Sequence, residues 1–411
     1  LLRDEELQKL VRIALEENKD LKRAVAAVEE YEARARVARM DFAPQLSVTG
    51  NAPVANKLGP GISIAGFPTP FSYYAQGSLS WELDFWGRVR RENEAARADL
   101  FAQEENRRAV VLQLVSGVAQ AYFDLRQLDM QLEIAKRTLL AWEESVRIGR
   151  ARLRQGLTNK LDVDQFEAER ANAAARTADL ERQMVQKENE ISVLLGRNPA
   201  QISRGRVLTE QVMPPEVPAG LPSELLQRRP DVLQAEQQLA AATARIGVAK
   251  AERFPKITLT GILGVASPHL SRMVNPGQFG EVGPSLAGPL FNAQILGFQQ
   301  QTAEAQARQA VAQYEQTILV AFREVEDALV AVRKTRDQTL AQEEQVTALR
   351  SALHLADLRY KGGLANYLDV LIAQRSLFDA ELSLTATRRL HLVSIVQLYK
   401  ALGGGWNEKE K

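Results

Sequence analysis

The segment Arg359-Tyr360-Lys361-Gly362-Gly363-Leu364-Ala365-Asn366-Tyr367-Leu368-Asp369-Val370 occurs in this chain in two versions. Arg152-Leu153-Arg154-Gln155-Gly156-Leu157-Thr158-Asn159-Lys160-Leu161-Asp162-Val163 repeats its Arg, Gly-Leu, Asn and Leu-Asp-Val in register. A repeat restricts the fold strongly, because each copy has to build the same supersecondary unit. In each copy a very long helical pattern runs into the Gly-Leu-x-Asn break and a second one leaves it, which predicts the tip of a helical hairpin. Other landmarks recur in the same order. Asn18-Lys19-Asp20-Leu21 answers Arg229-Pro230-Asp231-Val232, and Pro44-Gln45-Leu46-Ser47-Val48-Thr49-Gly50 answers Pro255-Lys256-Ile257-Thr258-Leu259-Thr260-Gly261. Leu83-Asp84-Phe85-Trp86-Gly87 answers Gly288-Pro289-Leu290-Phe291-Asn292 more loosely. Two structural repeats are therefore expected, 1–210 and 211–411, each ordered helix, strand pair, long helix, tip, helix, with tips at 154–161 and 360–367.

Asp4 to Met40 reads as one helix, with Leu7, Leu10, Val11, Ala14, Leu21, Val25 and Val28 at three- and four-residue steps. After Ala43-Pro44 the period becomes two. The predicted strand pairs are 45–56 with 71–85 and 256–267 with 279–290. Phe71, Tyr73, Ala75, Gly77, Leu79, Trp81, Leu83 and Phe85 fall on one side of the second strand, and Ser72, Tyr74, Gln76, Ser78, Ser80, Glu82 and Asp84 on the other. A long amphipathic strand with aromatics near both ends suits a membrane β-barrel, although the edge strand of a soluble sandwich alternates in the same way. Four strands cannot close a barrel, since known membrane barrels need at least about eight. If the strands span a membrane the chain must oligomerise, and a dimer, trimer or tetramer would supply eight, twelve or sixteen.

The helices decide against a sandwich. Apolar or small residues at 111, 114, 118, 121, 125, 128, 132, 135, 139, 142, 146, 149 and 153 form a coiled-coil seam ending at the first tip. A helix of about 65–70 residues starting near Trp86 would be a rod of about 100 Å. Ala293 to Tyr360 predicts a second rod, and Asn159–Leu195 and Asn366–Leu402 the shorter returning helices. Between the copies lies the Pro-rich link 212–222, with Ser223 and Glu224 placed to cap the following helix.

Charge is balanced, 52 basic against 51 acidic residues, so nothing points to a nucleic-acid partner. With no cysteine, disulfides and thiolate metal sites are excluded. His269, His354 and His391 have no ligand spacing and read as surface or packing residues. There is no phosphate-cradling Gly motif and no catalytic constellation, so neither an enzyme nor a cofactor is expected. No apolar run is long enough for a transmembrane helix. Any export signal or lipidated cysteine is expected ahead of Leu1.

The run Val217-Pro218-Ala219-Gly220-Leu221-Pro222-Ser223-Glu224-Leu225-Leu226-Gln227-Arg228-Arg229-Pro230-Asp231, with Leu194-Leu195-Gly196 and Pro199, closely resembles the TolC-like outer membrane factor family, the outer membrane efflux proteins, in its OprM/NodT-like branch. The resemblance implies a mixed α and β membrane protein. Three copies would form a homotrimeric 12-stranded outer-membrane β-barrel, four strands per chain, continuous with a long periplasmic α-helical barrel. It further implies a passive exit duct for small molecules, drugs or other toxic compounds, in the outer membrane of a Gram-negative bacterium. Its partners would be a periplasmic adaptor (membrane fusion protein) and a proton-coupled inner-membrane transporter, most naturally of the RND type. A duct for type I protein secretion is the alternative within the family, and a soluble coiled-coil scaffold the alternative outside it.

The resemblance also implies site residues. Leu368 matches an apolar gate ring and Asp369 one aspartate of a two-aspartate ring, whose second position is Ile372 here. Asp162 is the first-copy equivalent of Asp369, and Tyr360 matches a tyrosine that tethers the closed tip. Two alternatives stay open: Asp162 and Asp369 as caps of the helices that begin at the tips, and Leu368 as an interhelical packing residue. Gly156, Leu157, Asn159, Gly363, Leu364 and Asn366 are the expected adaptor-facing tips.

Overall fold

A computed structural model describes residues 4–51, 73–211, 227–267, 270–289, 293–365 and 367–404. The described elements are α1 (Glu5–Glu17), α2 (Lys19–Met40), β1 (Gln45–Asn51), β2 (Tyr73–Leu83), α3 (Arg88–Arg154), α4 (Lys160–Leu194), α5 (Pro230–Ala251), β3 (Lys256–Ser267), β4 (Gly277–Ala287), α6 (Ala293–Lys361) and α7 (Tyr367–Ala401). The expected link 212–222, the Ser223 cap, the tail of the first strand beyond Asn51, His269 and Asn366 lie outside the described residues. The chain divides into two compact units, one of residues 1–25, 106–233 and 317–411, the other of 26–105 and 234–316.

The second unit holds a four-stranded antiparallel sheet in the order β1-β2-β3-β4. Its register puts Leu46, Leu79, Gly261 and Val282 in one row across the sheet, and Val48, Gly77, Leu263 and Gly280 in the next. Strand period two sends both rows to the same face, where Leu46, Val48, Leu263, Val282 and Leu286 are exposed. The other face carries Ser47 and Ser78, whose hydroxyls meet at 2.7 Å, with Thr49, Gln76, Thr258 and Thr260. The alternation read from the sequence thus becomes one apolar and one polar face. Below β2, the Asp84 carboxylate accepts the N–H groups of Val89 and Arg90 and so starts α3. The Trp86 ring stacks on Phe254 at 4.6 Å and donates to the Pro255 carbonyl.

The first unit is helical. The seam predicted along α3 is its buried stripe: Leu114, Val118, Ala121, Leu125, Leu128, Leu132, Ala135, Trp142 and Val146 are all buried. Tyr122, Phe123 and Leu125 pack with Leu7 of α1, Ile191 of α4 and Leu392 of α7 into its largest core. Among the described residues no helix is long and apolar enough to cross a membrane.

The single helix expected over Asp4–Met40 is two. Asn18 leaves the helix with ψ 132°, and its side chain accepts from Leu21 N–H at 2.9 Å, capping α2. Its amide meanwhile donates to the Leu194 carbonyl at 2.8 Å. The break is thus fixed by a partner far along the chain, while the apolar period runs through it undisturbed. Asp4 is the N-cap of α1 rather than its first residue, and is 1% exposed. Its carboxylate also accepts from the Tyr122 hydroxyl, the Arg206 N–H and the Gln211 side chain at 2.8–3.0 Å. At the Arg-Pro-Asp motif, Arg229 pairs with Asp231 and Glu324 and donates to the Ala401 carbonyl, tying the start of α5 to α6 and α7.

His391 of α7 is buried, with its Nδ1 2.9 Å from the Thr335 hydroxyl of α6. Burial, and then the nearby Arg336, push its pKa below the ordinary histidine value. The unfolded chain therefore takes up this proton first as pH falls, so the stability contribution is full above about 6.5 and is lost below it. Thermal unfolding from pH 8 to 5 should show His391→Gln losing less stability than wild type. The difference is bounded by about 1.4 kcal/mol per pH unit, the value of one proton. Parallel curves would show that His391 does not titrate differently on folding.

Candidate functional site

Both tips close by the same backbone device. At the first, Gly156 sits at φ +70°, with Gly156 N–H bonded to the Leu153 carbonyl and Leu157 N–H to that of Arg152. At the second, Gly363 sits at φ +71°, with Gly363 N–H bonded to Tyr360 and Leu364 N–H to Arg359. These paired bonds satisfy the last carbonyls of α3 and α6 and require a left-handed residue, which glycine supplies without strain. The leucine after each glycine is left in solvent, Leu157 at 64% and Leu364 at 76% exposure.

The helices that leave the tips differ. Asn159 caps α4, its side chain accepting from Asp162 N–H at 2.8 Å, and the Asp162 carboxylate accepts from the Thr158 hydroxyl at 2.6 Å. The cap is therefore Asn159, and Asp162 ties the residue before the cap to the first turn of α4. Asp369 lies in the first turn of α7 and is exposed. Leu368 and Ile372, one turn apart, are 47% and 53% exposed on the same stretch, whereas Val370 and Leu371 are buried. Leu368, Asp369 and Ile372 thus make one outward patch with a carboxylate between two aliphatic side chains.

Tyr360 joins the two tips. The Arg152 guanidinium of α3 donates to its hydroxyl at 2.5 Å and lies over its ring, 5.0 Å from the centroid. Tyr360 then meets Tyr367 edge-on at 4.8 Å, and Tyr367 meets Phe166 of α4 at 4.2 Å. The Tyr367 hydroxyl donates to Ser145 of α3 at 3.2 Å, and burial pushes its pKa up. Trp142, Val146, Ala173 and Leu371 complete this apolar knot. Sequence reasoning named Tyr360 but missed Arg152, Tyr367 and Phe166 as its partners. The available signal was the asymmetry of the repeats: the second tip is bracketed by two tyrosines where the first has Leu153 and Lys160.

Among the described residues no cluster of His, Asp or Glu is placed to hold a metal ion. The arrangement supplies an exposed apolar and acidic patch, two solvent-facing tips, and a polar and aromatic contact between them.

Residues 10–197 and 221–404 match the family described as outer membrane efflux protein. The chain is 37% identical over 410 residues to the probable efflux pump outer membrane protein TtgC of Pseudomonas putida, spanning 99% of this chain and 84% of TtgC. It is 35% identical over 412 residues to the cation efflux system protein CusC of Escherichia coli, spanning 98% of this chain and 87% of CusC. The crystal structure of the open state of the Neisseria gonorrhoeae MtrE outer membrane channel resembles it with a TM-score of 0.86 at 33% identity, over 98% of this chain and 90% of MtrE.

Proposed function

The chain belongs to the outer membrane efflux protein family, and from that premise we propose that three copies close one gated exit channel through the outer membrane. The observation that carries this is the sheet. It presents an exposed apolar face, and among the described residues β1 pairs only with β2 and β4 only with β3. In lipid those two edges would leave backbone groups without partners, so edges must meet edges of other copies. Eight strands enclose little more than their own side chains, whereas twelve leave a lumen, which favours three copies over two. The polar face of the sheet would line that lumen. The two halves, 1–210 and 211–411, are read as copies of one plan.

The tips at Gly156-Leu157 and Gly363-Leu364, with Asn159 and Asn366, would meet a periplasmic adaptor that couples the channel to a proton-driven inner-membrane transporter of the RND type. Around a threefold axis Leu368 and Ile372 would form an apolar constriction and Asp369 a ring of carboxylates beside it, with Tyr360 holding the tips closed and Asp162 shaping the first tip. TtgC and CusC are named for efflux, CusC for cations. That favours small solutes over polypeptides as cargo.

Single-channel recording of the purified protein in planar bilayers tests the reading. Wild type should form small pores, and Leu368→Ala should raise their conductance severalfold, with Asp369→Ala altering ion selectivity more than size. Pores of unchanged size in Leu368→Ala would remove Leu368 from the gate, and a monomeric mass in detergent would remove the channel.

A further inference from the structure

One buried carboxylate stands apart from the tips and from the tether. Glu381 of α7 is 7% exposed, yet it accepts from two arginines on two other helices. Arg137 of α3 donates to Oε2 at 2.5 Å, and Arg350 of α6 to Oε1 at 2.7 Å. Both arginine side chains are themselves more than half exposed. Water therefore reaches the cations, and each bond can be exchanged for hydration without stranding a buried charge on the arginine side.

Glu381 also marks a boundary in how α7 is held. From Ala380 onward the helix is anchored, with Leu384, Thr385, Thr387, His391 and Leu392 buried. Over residues 372–379 not one side chain is buried. Two clefts open to solvent flank this stretch. One of about 240 Å³ is lined by Trp142, Asn172, Arg375 and Phe378. The other, of about 580 Å³, is lined by Ile148, Leu353, Gln374 and Leu377. Burial resumes only at Leu371 and Val370, against the aromatic knot. Between the two buried ends α7 is held by partly exposed contacts, Leu377 on the Val346 and Leu384 cluster, Phe378 on the Leu128 and Leu180 cluster, and Arg375 3.6 Å from Glu169, and such contacts can shift into the open clefts at less cost than fully buried ones.

We infer that Glu381 is a gate-positioning residue: its two arginine bonds set the angle at which α7 leaves the bundle, and so hold Leu368 and Asp369, about 20 Å further along the helix, at the closed position. This rests on the reading of the α7 tip as a gate. Sliding α7 past α3 must release Arg137, and sliding it past α6 must release Arg350. Glu381→Gln retains the shape but turns an amide N–H₂ toward one of the two cations, so one tie is lost.

The test uses the full chain with two readouts. Conductance in planar bilayers should rise at least threefold in Glu381→Gln and in Arg350→Gln, and stay at the wild-type value in Arg350→Lys, which keeps the charge. Because the chain has no cysteine of its own, spin labels can be placed at Leu157→Cys and Leu364→Cys. Their distance distribution should broaden in Glu381→Gln, with the melting temperature within a few degrees of wild type. Unchanged conductance and unchanged distances in Glu381→Gln would overturn the inference, even if Leu368→Ala opens the pore. Broadened distances in Glu381→Gln alongside an unaltered Leu368→Ala pore would sustain it and place the constriction elsewhere on the tip.

Discussion

Asp4→Ala is expected to destabilise the helical unit by about 3–5 kcal/mol, because several neutral donors lose a charged acceptor at about 1–3 kcal/mol each. Five donors converge on this carboxylate. Oδ1 accepts the N–H groups of Glu6 and Leu7, and Oδ2 accepts from Tyr122, Arg206 and Gln211. Truncation deprives these groups of that acceptor, at a cost of about 1–3 kcal/mol for each one that water cannot satisfy, while Gln211 keeps its bond to the Arg206 carbonyl. Asp4→Asn should be nearly as damaging, because its amide would point two N–H groups at the three donors around Oδ2. Tyr122→Phe should cost less, about 1–2 kcal/mol, since Arg206 and Gln211 keep their acceptor. Hydrogen exchange over 5–17 and 204–211, with the melting temperature, would measure the loss. A drop below about 1 kcal/mol for Asp4→Ala would mean that water fills the site.

The same network has a pH signature. Burial alone would raise the Asp4 pKa, but the bonds from Gln211, Leu7, Tyr122 and Arg206 outweigh it and hold the carboxyl below its ordinary value. The contribution is therefore present above the unfolded value of about 3.9 and fades only as pH falls through the lower folded value. Acidification to pH 5 should weaken the His391 seam while leaving the Asp4 network intact.

Leu263→Arg should abolish assembly into the membrane. Leu263 is 74% exposed on the apolar face of β3, between Gly77 and Gly280, with nothing of comparable size beside it in its row except Val48 on β1. If that face meets lipid as proposed, an arginine near the bilayer midplane costs about 2–4 kcal/mol, repeated in every copy of the assembly. Thr49→Arg places the same charge on the polar face and should be tolerated. The proportion of each protein that resists unfolding in detergent without heating separates the two faces. Equal assembly of both variants would mean that the apolar face does not meet lipid.

Much of this architecture was legible because it is periodic. The alternation of β1 to β4 and the seam of α3 are one-dimensional patterns: the first sorts the side chains onto the two faces of the sheet, and the second becomes the buried stripe of α3. What could not be read depends on partners distant in the chain. Asn18 breaks a helix whose period continues, because it bonds to Leu194. Asp4 reads as the first residue of a helix, and neither its cap nor its bonds to Tyr122 and Gln211 show in the local pattern. At the tips, Gly156 and Gly363 were evident as turns, but the bond from Arg152 of α3 to the Tyr360 hydroxyl joins residues far apart in the chain. Glu381 was unreadable for a different reason: a glutamate on a charged helix has the sequence signature of a solvated face, and only its neighbours in space show that it is buried.

The backbone closure of the two tips separates two demands that usually compete. A Cβ added at Gly156 or Gly363 would touch nothing within 4 Å, so the turn is set by dihedral preference and main-chain bonds rather than by packing. Leu157 and Leu364 contribute their N–H groups to that closure while their side chains stay in solvent. The chemistry displayed at the ends of the hairpins can thus be rewritten at those leucines with little penalty to folding. If the tips dock an adaptor as proposed, exchanging these leucines between related channels would retarget coupling while the body of the protein stays as it is.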